Sequence, residues 1–168
     1  VDVKHKGDIM KRILKAFCLV AALVAAGMSG WAQNYSFVEA IDKIKSLIVS
    51  TQLMEIEEMG KMDSVRDRHM YAFTTDLKCA NLVVNTWIYL CENISGQGYS
   101  QQVKEKMNTS LVFWYGALKS IGEYTEAVDN GTITSDQLIR ASTLSGDLLT
   151  KMGKDAARVR AMMTEELF

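Results

Sequence analysis

Beyond residue 32, the side chains with the most chemistry to offer are Cys79, Cys91 and His69, and their spacing limits what they can do. Cys79 and Cys91 bracket Cys-Ala-Asn-Leu-Val-Val-Asn-Thr-Trp-Ile-Tyr-Leu-Cys, thirteen residues without a charge. A nucleophilic thiol needs a base within hydrogen-bond reach. His69 lies ten residues before Cys79, ~15 Å away if the segment is one helix. Burial in an apolar run also raises a thiol pKa, which works against a reactive thiolate. A disulfide between the two needs Cα atoms within about 7 Å, whereas twelve helical steps separate them by ~18 Å. An oxidising compartment favours pairing. The helical spacing forbids it within the chain, so both are expected as small buried hydrophobes.

Metal chemistry has equally thin support. Carboxylate-bridged metal bundles place Glu-x-x-His pairs on facing helices, but the residue three before His69 is Arg66. Asp63 and Asp67 lie nearby, yet a histidine in such a setting is expected to be a hydrogen-bonded structural residue. Residues 126–137 have a calcium-loop-like centre at Asn130-Gly131-Thr132-Ile133. Val128 and Gln137 occupy positions where ligating carboxylates are required. Gly96-Gln97-Gly98 precedes a helix but follows no strand and lacks the Lys-Ser or Lys-Thr of a phosphate loop. No Gly-x-Ser-x-Gly nucleophile elbow occurs in the region. No catalytic, cofactor-binding or metal-ligating residue is therefore assigned, no cofactor is expected, and the chain is read as a non-enzyme.

Three other groups could serve binding. Lys151, Lys154 and Arg158 line one side of a helix, but Asp147 and Asp155 stand four residues either side of Lys151, which predicts a solvated, paired face. Asn81 and Asn85 interrupt the apolar run one turn apart. They either fix helix register inside a core or mark a face left open for another chain. Trp87, Tyr89, Tyr99, Trp114 and Tyr115 are expected to cluster near one end of the fold, mainly as core, although such residues also anchor interfaces.

The elements that would position these residues are helices. The chain has no proline, ten methionines and little alternation of apolar with polar residues. Ser36 and Glu39 form a capping-box pattern ahead of a stripe at Phe37, Ile41, Ile44 and Ile48, with Leu47 and Met54 beside it and Gly60 as the stop. Two glutamates in that last turn oppose the helix dipole. A second helix from about Ser64 to Asn93 runs through Thr74-Thr75, where a kink is possible. Its uncharged centre predicts burial on all sides, with the other helices around it. Ser100 caps a third helix with Val103, Met107, Leu111, Trp114, Leu118, Ile121 and Val128 on its face, stopped at Asn130-Gly131. Thr134 and Gln137 form another capping box for a fourth helix to Glu165, with a stripe of Leu138, Ser145, Leu149, Met152, Ala156, Val159 and Met163. Small residues at its start (Ala141, Ser142, Ser145, Gly146) allow close approach to a neighbour. Short turns between long helices predict an all-α, four-helix up-down-up-down bundle, one domain over residues 33–168.

Residues 1–32 read as an N-terminal extension and a secretory signal peptide. Lys11, Arg12 and Lys15 precede an apolar core at Ala16–Ala26, and Gly30-Trp31-Ala32 predicts cleavage before Gln33. The core is too short for a stable membrane span. Its removal takes five of the 19 Lys+Arg and two of the 20 Asp+Glu, leaving 14 cations against 18 anions and no basic field for nucleic acid.

The leader Met10–Ala32, the Gln33 start and the long helices are together similar in outline to small exported helical subunits of conjugation and type IV secretion systems, the VirB5/TrbJ-like group. That resemblance implies an accessory role in a secretion apparatus and carries over no particular residue. The broader expectation is an exported, periplasmic or cell-envelope protein acting through protein–protein contact, with an envelope protein as partner. A small-molecule or metal-binding bundle, its cavity lined by Met, Trp and Tyr, is the other reading.

Overall fold

Hydrogen bonds at the helix ends set the frame of this fold. The computed structural model describes residues 36–166, so the leader, its cleavage site and the Gln33 start lie outside the described residues. Four α-helices follow in order: α1 (Phe37–Met59), α2 (Val65–Asn93), α3 (Gln101–Asp129) and α4 (Ser135–Glu165), with a 3-10 turn at Ile94–Gln97 after α2. Among the described residues there is no strand.

Each boundary has a local cause. Ser64 and Ser100 accept the amide N–H of Asp67 (3.2 Å) and Val103 (3.4 Å), satisfying donors that the first turns leave open. At α4 the capping box is complete: Thr134 Oγ1 accepts the Gln137 N–H (3.2 Å), and Gln137 Oε1 accepts the Thr134 N–H (2.9 Å). α3 ends in a Schellman motif, the Thr132 N–H reaching Ala127 O and the Gly131 N–H reaching Val128 O. Gly131 holds φ of 68°, open to glycine without cost. Gly60 ends α1 without a left-handed turn, since the only glycines at positive φ are Gly98 and Gly131 among the described residues. The two glutamates expected to oppose the α1 dipole are compensated by Lys61, whose Nζ lies 2.8 Å from Glu57 and 2.7 Å from Glu58.

α2 and α4 share the most extensive contact, and α1 and α3 each pack against both. The centre therefore belongs to two helices rather than to α2 alone. Small residues explain the approach: Ala141 and Ser145 are buried, and a side chain added at Gly146 would meet Asp76 Oδ2 at 3.6 Å. The expected stripes are found. Phe37, Ile41, Ile44 and Ile48 of α1 are buried, as are Val103, Met107, Trp114 and Ile121 of α3 and the whole α4 stripe. At ~1.5–3 kcal/mol for each large apolar side chain fully buried, this core is the main stabilising term. Trp87 and Trp114 fill its middle with ring centroids 4.8 Å apart, and Trp87 Nε1–H donates to Met107 O (3.0 Å).

Burial of α2 on all sides is corrected. Asn81, Asn85 and Tyr89, spaced one turn apart, are exposed, Tyr89 by 45 %. With three neighbours covering only part of the circumference, the two amides lie on the open side, exposed to solvent. The aromatic cluster also divides: the tryptophans are core, Tyr99 pairs with Phe37 at 6.3 Å, and Tyr89 and Tyr115 are on the surface.

Two glycines test this reading of the backbone. Gly131→Ala is expected to destabilise by about 1 kcal/mol because it forces a Cβ into left-handed backbone. Gly122→Ala, in an exposed part of α3 with open space around its Cα, should stabilise by about 0.5–1 kcal/mol. Urea unfolding of both variants checks the opposite signs.

Candidate functional site

The polar groups that the core encloses are Thr51, Glu55, Asp76, Thr86, Ser110, Ser145 and Asp155. Three of them meet where α1, α2 and α4 converge. Asp76 follows Phe73 by three residues and Cys79 precedes Ala80, so helical spacing carries Asp76 onto the buried side of α2. Glu55 sits seven residues after Ile48 and is turned inward by the same rule. Ser145 comes from the small-residue start of α4 and donates to Asp76 Oδ2 at 2.7 Å.

Glu55 is 7 % exposed and Asp76 only 2 %. Glu55 Oε1 and Asp76 Oδ1 are enclosed with no fixed donor in reach. A proton on Glu55 resolves both, because the protonated carboxyl then donates to its neighbour. Burial first, and then the charge of Asp76, push Glu55 up to about 9. Asp76 is also raised, mainly by burial, against the opposing hydrogen bonds from Ser145 and Glu55. Glu55 is thus the acid of the pair that keeps its proton at neutral pH and donates to Asp76. Tyr71 Oη is enclosed beside the same helices, with Thr75 as its neighbour. None of Glu55, Asp76 and Tyr71 was singled out by sequence. Their signal was faint: an acid standing where an apolar stripe should continue.

The residues that sequence did single out are dispersed. Cys79 and Cys91 are free, and burial pushes both thiols up to about 11, which leaves them poor nucleophiles. His69 Nδ1 lies 2.8 Å from Ser142 Oγ. That hydroxyl already donates to Ile139 O, so it accepts from the ring, a structural hydrogen bond between α2 and α4. Asp63 and Asp67 are exposed. Among the described residues, no three of His, Cys, Asp and Glu gather as a metal would require. A surface cleft of about 270 Å³ is lined by Glu123, Tyr124, Ala127, Asp136, Gln137 and Arg140, not by the methionines and tryptophans expected of a core cavity.

The solvated face expected around Lys151 is corrected in part. Lys154 and Arg158 are exposed, but Asp155 is buried. Its Oδ1 accepts from Lys151 (2.6 Å) and Lys106 (3.0 Å), and its Oδ2 from Trp114 Nε1 (3.1 Å). Burial alone would raise this carboxyl, and the three donors together outweigh it and hold it below its usual value. Lys151 also lies over the Phe113 ring at 5.2 Å.

Comparison with protein families, curated proteins and solved structures finds no match.

What remains is the surface. Val49, Leu53 and Ile56 run along the outer side of α1 at 53, 62 and 67 % exposure. Their i, i+4, i+7 spacing makes one continuous row, opposite the helix's buried stripe. Val112, Phe113 and Tyr115 form a second exposed group on α3. No helix among the described residues is long and apolar enough to cross a membrane.

Asp155→Ala is expected to cost about 2–4 kcal/mol, because it strands the Trp114 N–H in the core and separates two lysines from their shared acid. A depressed carboxyl stabilises the fold above its unfolded pKa and loses that contribution as pH falls through the folded value. Urea midpoints below pH 5 should therefore decline less steeply in the variant than in the wild type.

Proposed function

We propose that this chain is an exported, non-catalytic helical module that works by binding another protein of the bacterial envelope through the outer face of α1. The row Val49, Leu53 and Ile56 carries this reading. Three large apolar side chains on one face match the anchors by which a helix seats in a partner's groove or against a partner helix. Contiguous apolar surface on a small domain, rimmed here by Ser46, Ser50, Gln52 and Glu57, is a usual mark of an interaction site. The interior acids are enclosed and its thiols are raised, which turns attention to the surface.

Export rests on the basic start, apolar core and small residues before Gln33. The up-down-up-down order is supported by residue pairs along the helices. Arg66 at the start of α2 reaches Ile133 O (3.1 Å) before the start of α4. Arg160 near the end of α4 meets Asp42 near the start of α1 (3.4 Å). Glu166, just past α4, binds the Ser100 N–H (2.9 Å) and hydroxyl at the start of α3.

Affinity isolation from native envelopes under mild crosslinking tests the reading. The wild type should bring down a stoichiometric protein partner. Leu53→Lys with Ile56→Lys should reduce its recovery at least about tenfold, ~1.4 kcal/mol, while stability stays within about 0.5 kcal/mol because both positions are solvent-facing. Equal recovery by the variant, or a lone monomer from the wild type, overturns it. Capture of secretion or conjugation components would narrow the partner class. N-terminal sequencing of the exported protein should begin at Gln33, and a mature chain starting at Met10 would refute processing.

A further inference from the structure

We propose that Glu55 and Asp76 form a proton latch that holds the last turns of α1 against α2 and α4. The geometry that points to it is the uneven anchoring of α1. Its first half is fixed by Phe37, Ala40, Ile41, Ile44 and Ile48, all buried. Past Ile48 the buried residues are Thr51 and Glu55 alone, and neither is apolar. Leu53 and Ile56 face solvent, and Met54 and Met59 are half-buried. Thr51 gives its hydroxyl hydrogen to Leu47 O within its own helix (2.9 Å). The interior holds on this end of α1 are therefore polar: the Cys79 thiol against Thr51, and the Glu55 carboxyl against Asp76, which Ser145 ties onward to α4.

Such a contact exists only while one acid is protonated. Two ionised carboxylates side by side in a buried setting repel strongly, and neither can donate a hydrogen bond. Among the described residues no cation is among the groups that shift the pair. On α2, Tyr71 and Cys79 face the pair as neutral groups, both raised by burial and by the acids themselves. Glu58 and Lys61, at the end of α1, act on Tyr71, with Lys61 engaged by Glu57 and Glu58. α4 contributes the Ser145 hydroxyl and the backbone at Gly146. The carbonyl end of α1 further disfavours a negative charge at Glu55.

The sign follows from proton counting. In the docked state Glu55 keeps its proton at neutral pH, whereas in the undocked state, with both acids in water, neither does. Undocking thus releases a proton and becomes easier as pH rises, from the ordinary carboxylate range up to the raised value of Glu55. The latch weakens continuously through neutrality, and its release frees the same part of α1 that carries Leu53 and Ile56. The proposal stands on the interior geometry and does not depend on export or on a partner.

Hydrogen exchange read by mass spectrometry on the intact chain tests it, with intrinsic exchange rates divided out. In peptides covering residues 51–62, the opening equilibrium should rise about tenfold per pH unit between pH 6 and about 8, while α3 and α4 stay protected. Glu55→Gln, which donates the same hydrogen bond at every pH, should flatten that slope, and Asp76→Asn, which removes the neighbouring charge but not the burial, should lessen it. A flat wild-type profile overturns the proposal. So does a slope that persists in both variants, or a loss of protection in all four helices together. Infrared spectra of the wild type at pH 7 decide the matter if neither variant folds: a protonated-carboxyl C=O band supports the latch, and its absence refutes it.

Discussion

The structure depends on how closely α2 and α4 approach. Ala141, Ser145 and Gly146 bring the α4 backbone near enough for Ser145 to bond Asp76 directly, and Gly146 leaves room for the Asp76 carboxyl. Without that proximity Asp76 would lose the Ser145 donor and rest on Glu55 alone, a costlier state in a weakly polarisable interior. With it, the same residue becomes the meeting point of three helices. Arg66 and His69 mark the same approach about three and two turns earlier in α2, bonding Ile133 O and Ser142. The two central helices are thus registered by polar contacts as well as by shape, and α1 and α3 lean on a pair already fixed.

A second polar centre does the corresponding work on the other side. Asp155 links α3 to α4 through Lys106 and Trp114, and Trp114 in turn packs on Trp87 of α2. The two interior acids solve one problem in opposite ways. Asp155 gathers cations and an indole N–H and stays ionised. Glu55 and Asp76 have each other, and Glu55 keeps its proton. Environment, more than residue type, sets the outcome.

Much of the architecture was legible in the sequence because its causes are local. Ser64, Ser100, the Thr134–Gln137 box and Gly131 each act within a few residues, and the boundaries they mark are the ones observed. The apolar stripes follow from 3.6-residue periodicity alone. What escaped was anything set by how many neighbours a helix has. Asn81 and Tyr89 lie in an apolar run, yet face solvent because only part of α2 is covered. Asp155 looked like a surface partner of Lys151 at i,i+4, and its burial depends on Trp114, 41 residues away. Glu55 was hidden for the same reason. An acid among glutamates at a helix end looks solvated until Asp76 is placed opposite it.

The placement of the indoles bears on how motion in this fold can be seen at all. Both tryptophans of the described residues lie in one contact between α2 and α3, sealed from solvent. Their emission reports on that centre rather than on the far end of α1, whose Glu55 and Glu58 act instead on Tyr71. A fluorescence melt and a helicity melt therefore record different events if α1 loosens first. Disagreement between two such optical signals would then be a property of where the chromophores sit, rather than a sign of an impure or misfolded sample.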